Sequence, residues 1–206
     1  TIILVTHHRD EFANADRIIR LDNGRIVQSA RGNTASIPEM DESGTAQEDN
    51  PIAKSNIANG ASKPTSAVPI IEIHNLTYQY PNSSKPVLDK LSITINEGET
   101  VAITGHNGAG KTTLARLLCA LEQPQSGNIT VNTIPVARQR ANGNMQSLKR
   151  ADREKLRATI GYVMQHPERQ LFAETVAEDI AYGPRNQHLD ETQALRGLAT
   201  GFRRVV

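Results

Sequence analysis

The sequence predicts an α/β fold organised around a phosphate-binding loop, on three observations. Short β-branched runs at Thr1–Thr6, Thr100–Thr104 and Ile160–Met164 have the pattern of strands buried on both faces. Residues 112–121 carry Leu114, Leu117, Leu118 and Leu121 at i, i+3, i+4 and i+7, the spacing of one apolar helix face. Between the strand Thr100–Thr104 and that helix lies Gly105-His106-Asn107-Gly108-Ala109-Gly110-Lys111-Thr112, which fits G-x-x-x-x-G-K-[ST].

Taken in order, the first element is the strand at Thr1–Thr6, followed by a polar stretch, 7–15, with room for a short helix. Arg17–Leu21 and Arg25–Gln28 read as strands joined by Asp22-Asn23-Gly24, where Asn-Gly tolerates the two positive φ angles of a tight hairpin. Residues 30–69 are rich in Ser, Thr, Asn, Ala, Pro and Gly and hold no aromatic residue, so they read as a flexible linker without enough apolar surface to offset ordering entropy. Strands are expected at Ile70–Tyr80 and Leu91–Ile95, a turn at Asn96–Glu99, then the buried strand and the helix already named. Pro124 and Gly127 lead to a strand at Asn128–Asn132. Arg138–Arg157 holds seven basic and two acidic residues and reads as a loop and a solvated helix, with an anionic lipid surface as the functional alternative. After Ile160–Met164, Thr175–Tyr182 is a short amphipathic helix stopped by Gly183-Pro184.

Composition narrows the function classes. The 206 residues carry a formal net charge of +1, which argues against a dedicated nucleic-acid surface. The single cysteine, Cys119, excludes an internal disulfide and a cysteine-based zinc site. The apolar runs are too short to span a bilayer as helices. The chain opens on Thr1 and goes straight into a strand, with no signal peptide, so a cytoplasmic fragment with something upstream missing is expected.

The glycines of the 105–112 loop let the backbone wrap around a phosphate with several N–H groups pointing inward, and the helix that follows turns its positive end toward the same anion. Lys111 is the residue for the β- and γ-phosphates, and the Thr112 hydroxyl is a ligand for Mg²⁺. A nucleoside triphosphate site follows, with Gly105, Asn107, Gly108, Gly110, Lys111, Thr112 and Thr113 as its loop.

The segment from residue 70 resembles the first half of an ATP-binding cassette (ABC) ATPase. The resemblance implies that Tyr80, about thirty residues before Lys111, stacks on adenine, with Tyr78 the neighbouring candidate; otherwise both tyrosines pack a sheet. Ile160-Gly161-Tyr162-Val163-Met164-Gln165 resembles the strand into the family's Q-loop, which implies that Gln165 approaches Mg²⁺ and the attacking water. Gln165-His166-Pro167-Glu168-Arg169-Gln170-Leu171-Phe172, with Thr175–Gly183 behind it, is similar to the energy-coupling factor (ECF) transporters, importers of vitamins, cobalt or nickel. An exposed Leu-Phe pair there would suit docking on a partner helix; the alternative is a loop pinned to its own core.

Residues 1–29 resemble the end of a cassette. Ile2–His7 is similar to the H-loop strand, which implies that His7 is a catalytic switch histidine reaching the γ-phosphate, and Ala15–Val27 is similar to the closing hairpin. His8 stands where the family often has Asp and is given no role, and a His7–His8 metal site is unfavoured because neighbouring side chains leave a strand on opposite faces. The expected organisation is therefore 1–29 as the end of a first cassette, 30–69 as a linker and 70–206 as the start of a second, in an α/β P-loop NTPase core with an antiparallel β subdomain, incomplete at both ends. His7 and Lys111 would then serve different ATP sites.

The resemblance further implies ATP and Mg²⁺ as ligands, with transmembrane T and substrate-binding S components and a second cassette of the intact chain as partners. It implies a location on the cytoplasmic face of the membrane, and no nucleic acid. No Leu-Ser-Gly-Gly-Gln-like segment and no apolar strand ending in Asp-Glu is present, so the isolated chain is expected not to turn over ATP. After Asp190-Glu191-Thr192 the family pattern breaks at Gly197–Val206, where a frameshift or truncated reading frame is the expectation. The competing readings are a soluble, non-transport ABC ATPase, an inactive remnant and, more distantly, a P-loop kinase or GTPase.

Overall fold

A computed structural model describes residues 1–6, 14–31 and 68–186. The chain forms two compact units, Thr1–Arg153 and Glu154–Val206.

The first unit holds two sheets. One has four strands in the order β1-β6-β2-β3, from β1 (Ile2–Val5), β2 (Arg17–Asp22), β3 (Arg25–Arg31) and β6 (Thr100–Thr104). β6 runs parallel to both neighbours, with Ile2 opposite Thr100 on one side and Arg17 opposite Val101 on the other. Val101, Ala102 and Ile103 are fully buried, as a β-branched strand flanked on both sides requires. β1 was expected to be buried on both faces as well, but among the described residues it lies at the edge of this sheet, with β6 its one neighbour and Ile2 and Val5 exposed. The Asn-Gly hairpin forms as expected: Asn23 and Gly24 have φ of 46° and 76°, and β2 and β3 pair antiparallel with a bulge at Arg20/Leu21.

β1 ends at Val5, and the Thr6 N–H still donates to the Ile103 carbonyl at 3.2 Å. The strand that leads to His7 therefore runs beside the strand that leads to the phosphate loop. Two segments whose patterns resemble the end of one cassette and the start of another share one sheet in this chain. An ion pair between Arg17 and Glu99 (2.8 Å) and a bond from the Thr100 N–H to Asp16 (2.7 Å) fasten the same seam.

The second sheet is antiparallel, in the order β5-β4-β7-β8-β9, from β4 (Pro69–Tyr78), β5 (Leu88–Asn96), β7 (Ser126–Val131), β8 (Ile134–Gln139) and β9 (Met145–Gln146). Alternation on β5 buries Leu91, Ile93 and Ile95 on one face, and the irregularity at Lys90, φ 50°, lets Leu88 be buried as well. They share a core with Ile73, Leu76 and Tyr78 of β4 and with Ile129 and Val131 of β7. With a strand expected to end at Asn132 and a loop to run from Arg138, β8 was not expected. It pairs with β7 through a turn in which Asn132 and Thr133 both have positive φ, and Pro135 sits exposed on it. Of the expected linker, residues 30 and 31 belong to β3, residue 69 to β4 and residue 68 precedes it, and residues 32–67 lie outside the described residues.

Helix α1 spans Lys111–Leu118, three residues short of the expected end. Ala120 takes φ 54°; its N–H donates to the Leu117 carbonyl and the Leu121 N–H to the Arg116 carbonyl. That pair of bonds is a Schellman stop, and it turns Leu121 out to solvent.

Helix α2 (Arg150–Thr159) crosses into the second unit; Leu156 is its buried residue, so the solvated helix expected in the basic stretch is present. Residues 160–164 were expected to form a buried strand and do not. No described strand lies beside them to complete a ladder, and Val163 is 74% exposed. A 3₁₀ turn (Pro167–Gln170) follows, then α3 (Val176–Asn186). Thr175 caps α3: its Oγ1 accepts from the Glu178 N–H at 3.2 Å, and its hydroxyl donates to the Glu178 carboxylate at 3.0 Å. α3 was expected to stop at Gly183-Pro184 but continues to Asn186 with Pro184 inside it, at the loss of the one helical bond that the proline cannot donate.

Candidate functional site

The phosphate loop is built by β6, residues 105–110 and the start of α1. Gly110 caps the helix in a left-handed conformation, φ 101°, with no side chain to bond the first-turn N–H groups. A Cβ there would stand 2.7 Å from Leu88 Cδ2 and 2.9 Å from the Val87 carbonyl oxygen, so both the dihedral and the space require glycine. At Gly105 a Cβ would meet the Leu21 carbonyl oxygen at 2.3 Å. The loop closes on itself through the Ala109 N–H to the His106 carbonyl (3.2 Å).

Lys111 folds back over the loop. Its ammonium donates to the carbonyl oxygens of Gly105 (2.7 Å) and His106 (2.9 Å), and burial lowers its pKa. Thr112, next along, is exposed, whereas Thr113 is buried. The glycine cradle, an uncapped helix start, one ammonium and one exposed hydroxyl together can hold an anion and offer a hard oxygen ligand to a cation.

Tyr80 and Tyr78 part company. Tyr78 is buried; its hydroxyl donates to Glu122 at 2.9 Å, and burial with that bond pushes its pKa up to about 12. Glu122 is held below the usual carboxylate range by the same Tyr78 bond and by Arg116, at 2.8 Å. Tyr80 is 37% exposed, its hydroxyl 3.1 Å from Thr113 Oγ1 and its ring set edge-on to Tyr78 at 5.0 Å between centroids. Of the two, Tyr80 is the one with a ring surface free to stack, and it is tied to the first turn of α1.

The structure thus gathers Tyr80, Gly105, Asn107, Gly108, Gly110, Lys111, Thr112 and Thr113 in the first unit. Gln165 lies exposed in the second unit. His7 lies outside the described residues. Two residues that the sequence reasoning gave no role also stand at the loop: His106 Nε2 is 3.0 Å from Asp22 Oδ1. The His inside the loop was visible in the sequence; its partner depends on the β2–β6 register.

In the second unit Gln170 ties the chain together, accepting from the Met164 N–H (3.2 Å) and donating to the Tyr162 carbonyl (3.4 Å). Asp179 accepts the N–H groups of Phe172 (3.1 Å) and Ala173 (3.2 Å). Leu171 and Phe172 are nonetheless 70% and 64% exposed, with Phe172 edge-on to Tyr182.

The profile of the ABC transporter family matches residues 88–204, more than half of the chain. The chain belongs to the ABC transporter family. A Bifidobacterium longum protein bearing the name ABC transporter ATP-binding protein is 43% identical over 94% of this chain and 28% of its own length. The energy-coupling factor transporter ATP-binding protein EcfA1 of Latilactobacillus sakei is 38% identical over 66% of this chain and 44% of its own. Among solved structures, CbiO1 of Clostridium perfringens, part of the ABC transporter complex CbiONQ, superposes with a TM-score of 0.55 at 30% identity, covering 66% of this chain and 50% of that one. The chain therefore spans half or less of the length of each of these relatives. Its fold is that of ABC ATPases, a P-loop NTPase core with an antiparallel sheet. Among the described residues no helix is long and apolar enough to cross a membrane.

Proposed function

We propose that the chain binds Mg-ATP at the 105–113 loop and is part of an ATPase that energises solute import through an ECF-type transporter. The observation that carries the reading is the loop itself, three left-handed glycines closing around the Lys111 ammonium at an uncapped helix start. Lys111 would pair with the β- and γ-phosphates, and Thr112 with Mg²⁺. The N–H groups and side chains of Gly105, Asn107, Gly108, Gly110 and Thr113 would line the phosphates, and Tyr80 would stack on the base. Gln165 would add a ligand near Mg²⁺ and the attacking water, and His7 the switch contact to the γ-phosphate, once the intact protein brings them to a nucleotide.

The similarity to EcfA1 and CbiO1 supports a vitamin or transition-metal cation as the solute and T and S membrane components as partners. The exposed Leu171–Phe172 pair supports the docking role. These partners would hold the protein at the cytoplasmic face of the membrane. A tandem two-cassette polypeptide would account for a chain whose residues 1–29 resemble the end of a cassette and whose residues from 70 resemble the start of another. In that polypeptide each cassette would use its own closing strands. In this chain Ile2–Val5 and Arg17–Arg20 pair with β6, the place that the second cassette's own closing strands would take in that polypeptide. ATP turnover by this chain alone would be negligible, since no signature loop or Asp-Glu strand end is present.

Mg-ATP at a hundred times its dissociation constant should stabilise the full chain by about 2.7 kcal/mol, read as a rise in melting temperature that Lys111→Ala abolishes. An unchanged melt, or a turnover near about 1 s⁻¹ that depends on Lys111, contradicts the reading. Failure to bind any ECF-type membrane component would favour a soluble ABC ATPase.

A further inference from the structure

Tyr80 is fixed on three sides, all by residues between 78 and 125. The Gln125 side chain clamps the backbone before it, accepting from the Gln79 N–H and donating to the Gln79 carbonyl, each at 2.8 Å. The backbone after it turns at once. The Ser83 N–H donates to the Tyr80 carbonyl at 3.0 Å, and Pro81 takes the second position of that turn, where its restricted φ fits. Beside the ring stands Tyr78, itself held by Glu122, which also takes Arg116 of α1. The phenol oxygen sits at the far end of a rigid ring, so these restraints also fix where it lies, 3.1 Å from Thr113 Oγ1. The Thr113 side chain is buried in the first turn of α1, and its backbone N–H is among the groups that Gly110 leaves uncapped.

We propose that Tyr80 is a positioning residue for Thr113 as well as the platform for the base: its hydroxyl donates to Thr113 Oγ1 and so aims the Thr113 hydroxyl proton at a phosphate oxygen. The inference rests on the nucleotide-site reading above. The direction of the bond follows from the chemistry of the ligand. Each hydroxyl has one proton to give and two lone pairs to offer. An ionised phosphate oxygen only accepts, so Thr113 gives its proton to the phosphate and keeps Tyr80 by accepting from it. In the chain from phenol to threonine to phosphate each bond polarises the next and strengthens it. A bond made at the phenol oxygen covers neither face of the ring, so base stacking and this bond are made together. One side chain then grips both ends of the nucleotide, the base through its ring and the phosphates through Thr113. None of these contacts involves residues 1–31. They lie within the cassette that starts at residue 70, whichever strands close its sheet beside β6.

The test is the dissociation constant of the full chain for Mg-ATP and for Mg-tripolyphosphate, which carries the phosphates without the base. Wild type, Tyr80→Phe, Thr113→Val, their double variant and Lys111→Ala are compared at one pH. Tyr80→Phe keeps the ring and removes the hydroxyl. It should weaken both ligands by the same factor, about two- to tenfold, the range of one net hydrogen bond. In the Thr113→Val background Tyr80→Phe should change neither constant further, because the link is already gone. A tyrosine that only stacks, or only packs beside Tyr78, would leave tripolyphosphate binding untouched. An unchanged tripolyphosphate constant in Tyr80→Phe therefore overturns the link, with no need for Thr113→Val to fold. A loss that persists in full in the Thr113→Val background overturns it too, since the hydroxyl would then act elsewhere. If Lys111→Ala binds both ligands as wild type does, the nucleotide-site reading falls and the link with it. If Lys111→Ala loses both while Tyr80→Phe holds both as tightly as wild type, the link alone is wrong.

Discussion

Replacing Gly24 by alanine should destabilise the chain far more than the same change at Gly98, although the two positions share a backbone conformation. Their φ angles are 76° and 79°. At Gly98 an added Cβ meets nothing within 4 Å, so Gly98→Ala carries only the left-handed penalty, about 1 kcal/mol. At Gly24 the Cβ would lie 2.3 Å from the Val87 carbonyl oxygen, 2.8 Å from its carbon and 2.9 Å from Leu88 Cα. All three are backbone atoms and cannot rotate away. Relieving them means lifting the turn from β5, which also breaks the bond from the Asp89 N–H to the Gly24 carbonyl (3.0 Å). Overpacking of this kind adds about 1–3 kcal/mol, so Gly24→Ala should cost about 2–4 kcal/mol in total. Urea unfolding of the full chain, followed by circular dichroism with both variants at the same slope, measures the difference. If the two variants agree within about 0.5 kcal/mol, the hairpin of residues 17–31 does not seat against residues 87–89, and the shared sheet is wrong.

Other outcomes follow from single residues. Ala120→Gly should raise stability by about 0.5–1 kcal/mol, because Ala120 stops α1 at φ 54°, where glycine carries no penalty; a lower urea midpoint would contradict the Schellman geometry. Tyr78 keeps its proton in the folded state to about pH 12, above its unfolded value near about 10, so its contribution is complete below pH 10 and is lost as pH rises through 12. Absorbance at 295 nm should show a tyrosine titrating near pH 12, and Tyr78→Phe should remove both that component and the alkaline loss of stability. Leu171→Ser with Phe172→Ser should change stability by less than about 0.5 kcal/mol, since both are exposed, while abolishing capture of an ECF-type membrane component; a large fall in melting temperature would mean the pair packs internally.

Elements governed by local chemistry were legible in the sequence. The Asn23-Gly24 turn and the glycine spacing of the phosphate loop demand particular dihedrals, and the alternation on β5 reports its buried face. Pairing between distant segments was not legible. Nothing local to Ile2–Val5 says that its partner is Thr100–Thr104, because a parallel register carries no turn signal. The Asp22–His106 contact depends on that same long-range arrangement, so only the histidine could be seen beforehand. Residues 160–164 misled because a short apolar run fits a buried strand without showing that a neighbouring strand exists. Pro135 hid β8, since proline counts against a strand unless its N–H would face away from the ladder. Ala120 hid the end of α1, because glycine is the usual mark of that stop.

The most direct test of the central claim is equilibrium dialysis of Mg-ATP against the full chain, wild type beside Lys111→Ala. The loop geometry predicts saturable binding by the wild type, one nucleotide per chain, and a loss of at least about tenfold in affinity when the ammonium is removed, as expected for a charge-assisted contact to phosphate. Equal binding by the two proteins, or none by the wild type, would contradict the account.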